Sequence, residues 1–153
     1  MFLQEILVVV HIVAAAAWIG GGIMFVSLSA RAWSTKDEAR IVELTEMGDY
    51  VGRRIFGPAA VILLAAGVWA VIDGNWSFSA AWVSIGFAAW IIGIVIAFGW
   101  HVSEGSRIRA AIADGGVDGP AARRLGNLSG LIGTVEVLVL IVAVWAMVAK
   151  PGG

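Results

Sequence analysis

Four long runs almost free of charge constrain this 153-residue chain more than any other feature. They are residues 6–30, 55–72, 74–103 and 125–149, holding 25, 18, 30 and 25 residues, and only Glu136 interrupts them. A helix needs about 20 apolar residues, with a range of about 17–25, to cross the hydrocarbon of a bilayer. Lipid offers no partner to an exposed peptide group, so a spanning segment must close its hydrogen bonds as a helix or a barrel. The runs lack the alternation of barrel strands, which leaves helices.

Composition agrees. The chain is 60% hydrophobic and 14% charged, whereas soluble domains hold about 45–50% apolar and about 25% charged residues. A compact 16.0 kDa domain could not bury four such runs. A net charge of −1 without a basic stripe excludes a nucleic-acid partner, and the absence of cysteine excludes disulfides and thiolate metal sites.

The predicted fold is therefore all-α: a polytopic membrane protein, one membrane domain over residues 1–153. It is a four-helix transmembrane bundle with helices at about 4–31, 55–73, 80–103 and 126–149. The first run lacks a basic leader and exceeds the apolar core of a signal peptide, so it reads as a retained helix. Pro58 suits the start of the second helix. A short amphipathic helix at about 36–51, in the first loop, is expected to lie at the interface. Its signals are a Thr35-x-x-Glu38 capping box and Ile41, Leu44, Met47 and Val51 at helical spacing. The turn signals in "ADGGVDGPAARR" separate an extension of helix three from helix four. "RRIFGP…GVWAV" and "RRLGNLSG…AVWAMV" suggest an imperfect two-plus-two repeat.

Nine of the ten Lys and Arg residues fall in the first and third loops, and Lys150 stands alone on the other side. The positive-inside rule then puts both termini outside the cytoplasm of a bacterial inner membrane. The bilayer is the certain partner. Other membrane subunits or further copies of the chain are the candidates beyond it.

Three polar residues at membrane depth are candidates for function, because each is expensive there: His11, Glu136 and His101. Counting about 1.5 Å per residue from the outer helix ends puts His11 about 9 Å deep, Glu136 about 21 Å and His101 about 30 Å. His11 and His101 then cannot clamp one haem together. Met24 falls near the depth of His101 as a second candidate ligand. His101 reads best as an interfacial anchor. Glu136 is expected to be a neutral acid locking two helices, with a backbone carbonyl, His11 or a proton pathway as its alternatives. On the first helix His11, Trp18, Gly22 and Phe25 share a face, which suits either a flat macrocycle or ordinary packing.

The opening helix, "LVVVHIVAAAAWIGGGIMFVSLSAR", resembles that of small CopD-like integral membrane proteins. "RRIFGP…GVW" and the closing "VWAMVAKPGG" are similar to an uncharacterised four-helix branch of that group. More distantly, helix one is similar to HemJ-type haem membrane proteins. That resemblance implies haem b as a cofactor, with His11 as ligand to its iron and Trp18 and Gly22 shaping the pocket. Helix three lacks the intramembrane Lys of that family. Three functions follow as expectations. The first is a small non-enzymatic membrane protein or accessory subunit, with haem b at His11 as its candidate cofactor. The second is a HemJ-type oxidoreductase, and the third a CopD-like metal or small-solute transporter.

Overall fold

The computed structural model describes residues 2–151. Among them four helical rods are long and apolar enough to cross a membrane: Phe2–Thr35, Glu38–Asp73, Ala81–Gly115 and Pro120–Ala149. The first rod is α1 (Phe2–Thr35). The second comprises α2 (Glu38–Val51), a π-helical turn (Gly52–Phe56) and α3 (Gly57–Asp73). The third comprises α4 (Ala81–Ile96), a π-helical turn (Ala97–His101) and α5 (Val102–Gly115). The fourth is α6 (Pro120–Ala149).

The rods pair as two hairpins. Their tight turns, at Lys36–Asp37 and at residues 116–119, lie together at one end, here the elbow end. The N-terminus, the 74–80 turn and the end of α6 form the terminal end. Within the hairpins α1 packs on α3 and α4 on α6, and α1 also packs on α6. The two halves are thus both hairpins, as the repeat suggested, but the π turn falls in the second rod of one and the first rod of the other.

The helix expected at 36–51 is present, and its setting differs. It runs on into the second span and buries Ile41 and Leu44 against Ile108 and Ile112 of α5, with Ala32, Val117 and Ala122 completing the cluster. Every rod outlasts its uncharged run because partners at the elbow end bury its next turns. Pro58 sits at the second position of α3, as its suitability for a helix start implies, within a rod that continues back through the π turn. Its missing N–H would orphan a carbonyl in an α register, and the adjoining π turn, where Gly57 N–H reaches Gly52 O, absorbs that defect. The start of α2 also differs from the capping box. Lys36 takes a positive φ of 54° and ends α1. Asp37 then caps α2, its Oδ1 accepting from Arg40 N at 3.0 Å. Thr35 is spent on α1, donating to the carbonyls of Arg31 and Ala32.

Polar contacts fix the elbow end. Lys36 Nζ lies 2.7 Å from Asp118, Glu38 accepts from Val117 N at 2.7 Å, and Arg109 binds Asp49 at 3.0 Å and Thr45 at 2.9 Å. At the terminal end Lys150 Nζ sits 4.1 Å over the Trp76 ring and 5.5 Å over Trp82. The two indoles meet edge to face, so the aromatic pair pins the end of α6. Along the spans, large apolar side chains such as Val13, Val61, Val95 and Val142 are exposed, as a lipid-facing surface requires.

Candidate functional site

A second cluster, of Ala14, Trp18, Ala60, Leu63 and Leu140, fills the centre of the spans. On its elbow side lies the polar heart of the molecule. Glu136 on α6 is the one charged or polar residue in the buried set among the described residues. Its Oε1 accepts from the Trp18 indole N–H at 3.1 Å, and its Oε2 lies 2.9 Å from His101 Nε2. The other nitrogen of His101, Nδ1, lies 2.6 Å from Glu104 Oε2. Ser129 donates its hydroxyl to Glu104 Oε1. Five side chains from α1, α4–α5 and α6 thus form one unbroken hydrogen-bonded line: Trp18, Glu136, His101, Glu104, Ser129.

Local sequence accounts for both halves of the line. His101 and Glu104 are three apart and share a helix face. Ser129 and Glu136 are seven apart, two turns along α6, and share another. The π turn Ala97–His101 ends on the imidazole, and π turns are frequent where a helix must re-aim a functional side chain. Gly93 lets the Trp18 ring in: a Cβ at that position would sit 2.9 Å from Trp18 Cζ2.

The depths counted along each backbone fail to separate Glu136 from His101. Side chains on a helix lean toward its N-terminus. α4 starts at the terminal end and α6 at the elbow end, so His101 leans inward and Glu136 leans toward it. Two long side chains then close a backbone offset of about 9 Å. His101 is therefore a bridge between two carboxyls rather than an interfacial anchor. Glu136 pairs with His101 and Trp18, neither with a backbone carbonyl nor with His11.

The site can hold protons. Each of the two nitrogen–oxygen lines needs one hydrogen. Either an imidazolium lies between two carboxylates, or a neutral imidazole lies between one carboxyl and one carboxylate. Both distributions carry two shared protons and a net charge of −1, so protons can shift along the line without new charge entering the membrane. The nearest other charged pair, Arg109 with Asp49, lies a turn farther toward the elbow and is internally satisfied.

The remaining candidates lie apart. His11 faces α3, where its Nδ1–H donates to the Leu63 carbonyl at 2.9 Å, and its ring rests where a Cβ on Gly67 would fall. This tautomer leaves Nε2 with its lone pair, the orientation a metal ligand takes. The pocket expected beside it is closed. Trp18 is buried on Glu136, and Gly22 is closed by Val137, 3.1 Å from where a Cβ would be. The donor suits haem iron, and the surroundings inside one bundle do not suit the macrocycle. Met24 is exposed and stands away from the polar line. Among the described residues no group of three or more His, Asp or Glu side chains could hold a metal ion. A hollow of about 370 Å³ between α4 and α6 is lined only by apolar side chains, from Ile85 to Val142.

Glu104 and Ser129 are the members that sequence reading passed over. Glu104 looked like the charge that ends a span, and the i,i+3 spacing to His101 was the available signal. Ser129 carried none by itself.

A family model described as a predicted integral membrane protein, DUF2269, matches residues 5–151. No curated protein matches, and no solved structure does. These comparisons show neither a CopD-like nor a HemJ-type relationship.

Proposed function

The chain belongs to the DUF2269 family of predicted integral membrane proteins, and we propose that it is a small non-enzymatic membrane protein, or accessory subunit of a membrane assembly, whose working element is a proton-exchanging site inside the bundle. One observation carries this reading: a single imidazole spans two carboxyls, at 2.6 and 2.9 Å, beside the hydrocarbon core. Packing alone gives a helix bundle no reason to hold that trio. Ionisable groups at membrane depth are costly, and they recur where protons or ions move. The same geometry weighs against enzymatic use, because each carboxyl oxygen and imidazole nitrogen of the line faces another member. By the positive-inside rule the elbow end faces the cytoplasm.

Infrared difference spectroscopy on the reconstituted protein tests the reading. A protonated-carboxyl band should rise and fall with pH and vanish in Glu136→Gln. A wild-type spectrum with no titrating carboxyl band ends the proposal. A visible spectrum taken on the same sample addresses His11. A Soret band lost in His11→Ala would bring a haem b-binding subunit forward in its place.

A further inference from the structure

We propose that the proton site is a dead end, loaded from the elbow face only and stoppered on the other side by Trp18, so that the protein stores a proton at Glu136 and does not conduct one across the bilayer. This rests on the proton-exchange reading and specifies its direction.

The line has two chemically different ends. At the elbow end stand Glu104 and His101, both able to take up and release a proton. His101 is more open than either carboxyl, with 37% of its side chain exposed against 15% for Glu104 and 12% for Glu136. From Ala81 to His101 is about 30 Å of helix, the thickness of the hydrocarbon, so the imidazole stands at the edge of the water-facing layer. At the inner end stands Trp18. An indole N–H donates and has no lone pair to accept with, so a hydrogen-bonded relay cannot continue through it. Trp18 is also 5% exposed and packed with Ala14, Ala60, Leu63 and Leu140, which fill the space toward the terminal end with apolar atoms. The Trp90 indole beside this cluster also only donates, to the Ala60 carbonyl at 3.0 Å, and His11, about 10 Å farther along α1, is turned to the Leu63 carbonyl.

The transfer balances without any co-reactant. A proton taken by Glu104 from water passes from Oε2 to His101 Nδ1, while the Nε2 proton of the ring passes to Glu136 Oε2. Two N–H or O–H bonds form and two break, no electron changes hands, and the ring resets by the reverse exchange. The groups facing His101 are Glu104 on its own rod, Glu136 on α6 and the indole of α1. None of them is a cation.

The test uses wild-type protein reconstituted in one orientation, with the Glu136 carboxyl band followed while each face is acidified in turn. The band should respond to the elbow face and stay constant when only the terminal face is acidified. Vesicles carrying a pH gradient should hold it as long as protein-free vesicles do. Trp18→Phe, which keeps the plug without the N–H, should leave the gradient intact. Trp18→His, which puts a two-sided relay group in the stopper position, should collapse it severalfold faster. Response from the terminal face, or a wild-type gradient that decays faster than the protein-free control, overturns the dead end and leaves proton exchange standing. A carboxyl band that titrates from neither face overturns both.

Discussion

Glu136 is held by an indole N–H and an imidazole nitrogen, so its replacement tests hydrogen bonding against hydrophobicity. Glu136→Gln keeps an acceptor for Trp18 and offers an amide N–H to the lone pair of His101. It should fold within about 1 kcal/mol of wild type while losing the carboxyl. Glu136→Leu raises the hydrophobicity of α6, yet it leaves the Trp18 N–H and His101 Nε2 unpaired at a cost of about 1–3 kcal/mol each. Thermal unfolding in detergent should therefore rank Gln well above Leu. A Leu variant as stable as the Gln variant would show that the line contributes nothing to the fold. Glu136→Lys should be worse still, since a cation near the bilayer centre costs about 2.5–3.5 kcal/mol. The depth and expense of Glu136 were legible in the sequence because charge inside an apolar run stands out. Its partner was not. Backbone arithmetic places atoms along an axis, while the lean of side chains on antiparallel helices decides which of them meet.

At the scale of elements, two glycines in similar apolar settings should respond with opposite signs. A Cβ on Gly93 of α4 would fall 2.9 Å from Trp18 Cζ2 and 3.1 Å from Cη2, and that ring is enclosed by the central cluster and cannot retreat. Gly93→Ala should cost about 1–3 kcal/mol by overpacking. Gly20 of α1 has open space where its Cβ would be. Gly20→Ala should be neutral or should stabilise by up to about 1 kcal/mol, because Ala forms helix better than Gly. Melting temperatures of the two variants check the pair, and a common sign would contradict the packing described. The elbow has its own pH dependence. The Lys36 ammonium, hydrogen-bonded to Asp118, holds that carboxyl below its ordinary range. A lowered folded-state value means that its contribution is present above the ordinary range and fades as pH falls through the lowered one. The pair is exposed, so added salt should weaken it too, and amide exchange at residues 116–119 should quicken under either condition. Four spans and the turn after Gly115 were legible from charge-free runs and turn residues. The union of α2 and α3 was not, because Pro58 reads as the start of a separate helix unless a π turn joins it to the one before.

For the whole molecule, the distribution of basic side chains and the position of the proton site make one claim when taken together. Nine of ten Lys and Arg residues lie on the elbow side of the spans, and His101 and Glu104 stand toward that side of the site too. Positive charge is retained in the cytoplasm during insertion, so the elbow, the α2–α5 layer and the port of the site should all be cytoplasmic. A reporter active only in the cytoplasm should therefore work when inserted at Asp118, the exposed residue of the turn between α5 and α6, and fail when fused after α6. The converse pattern would put His101 and Glu104 on the outer face. The site would then load from the external medium, with its charge facing the opposite side of the membrane potential. That distinction matters energetically, since moving one elementary charge across the full membrane is worth about 2.3 kcal/mol per 100 mV. A dead-end proton crosses only part of that field, so its occupancy should change with membrane potential by less than a full crossing would give. With the elbow inside, an interior-negative potential opposes movement of a proton from His101 toward Glu136. Imposing such a potential on oriented vesicles should lower the Glu136 carboxyl band, and reversing it should raise the band. A change of the opposite sign would place the elbow outside, whatever the count of basic residues implies.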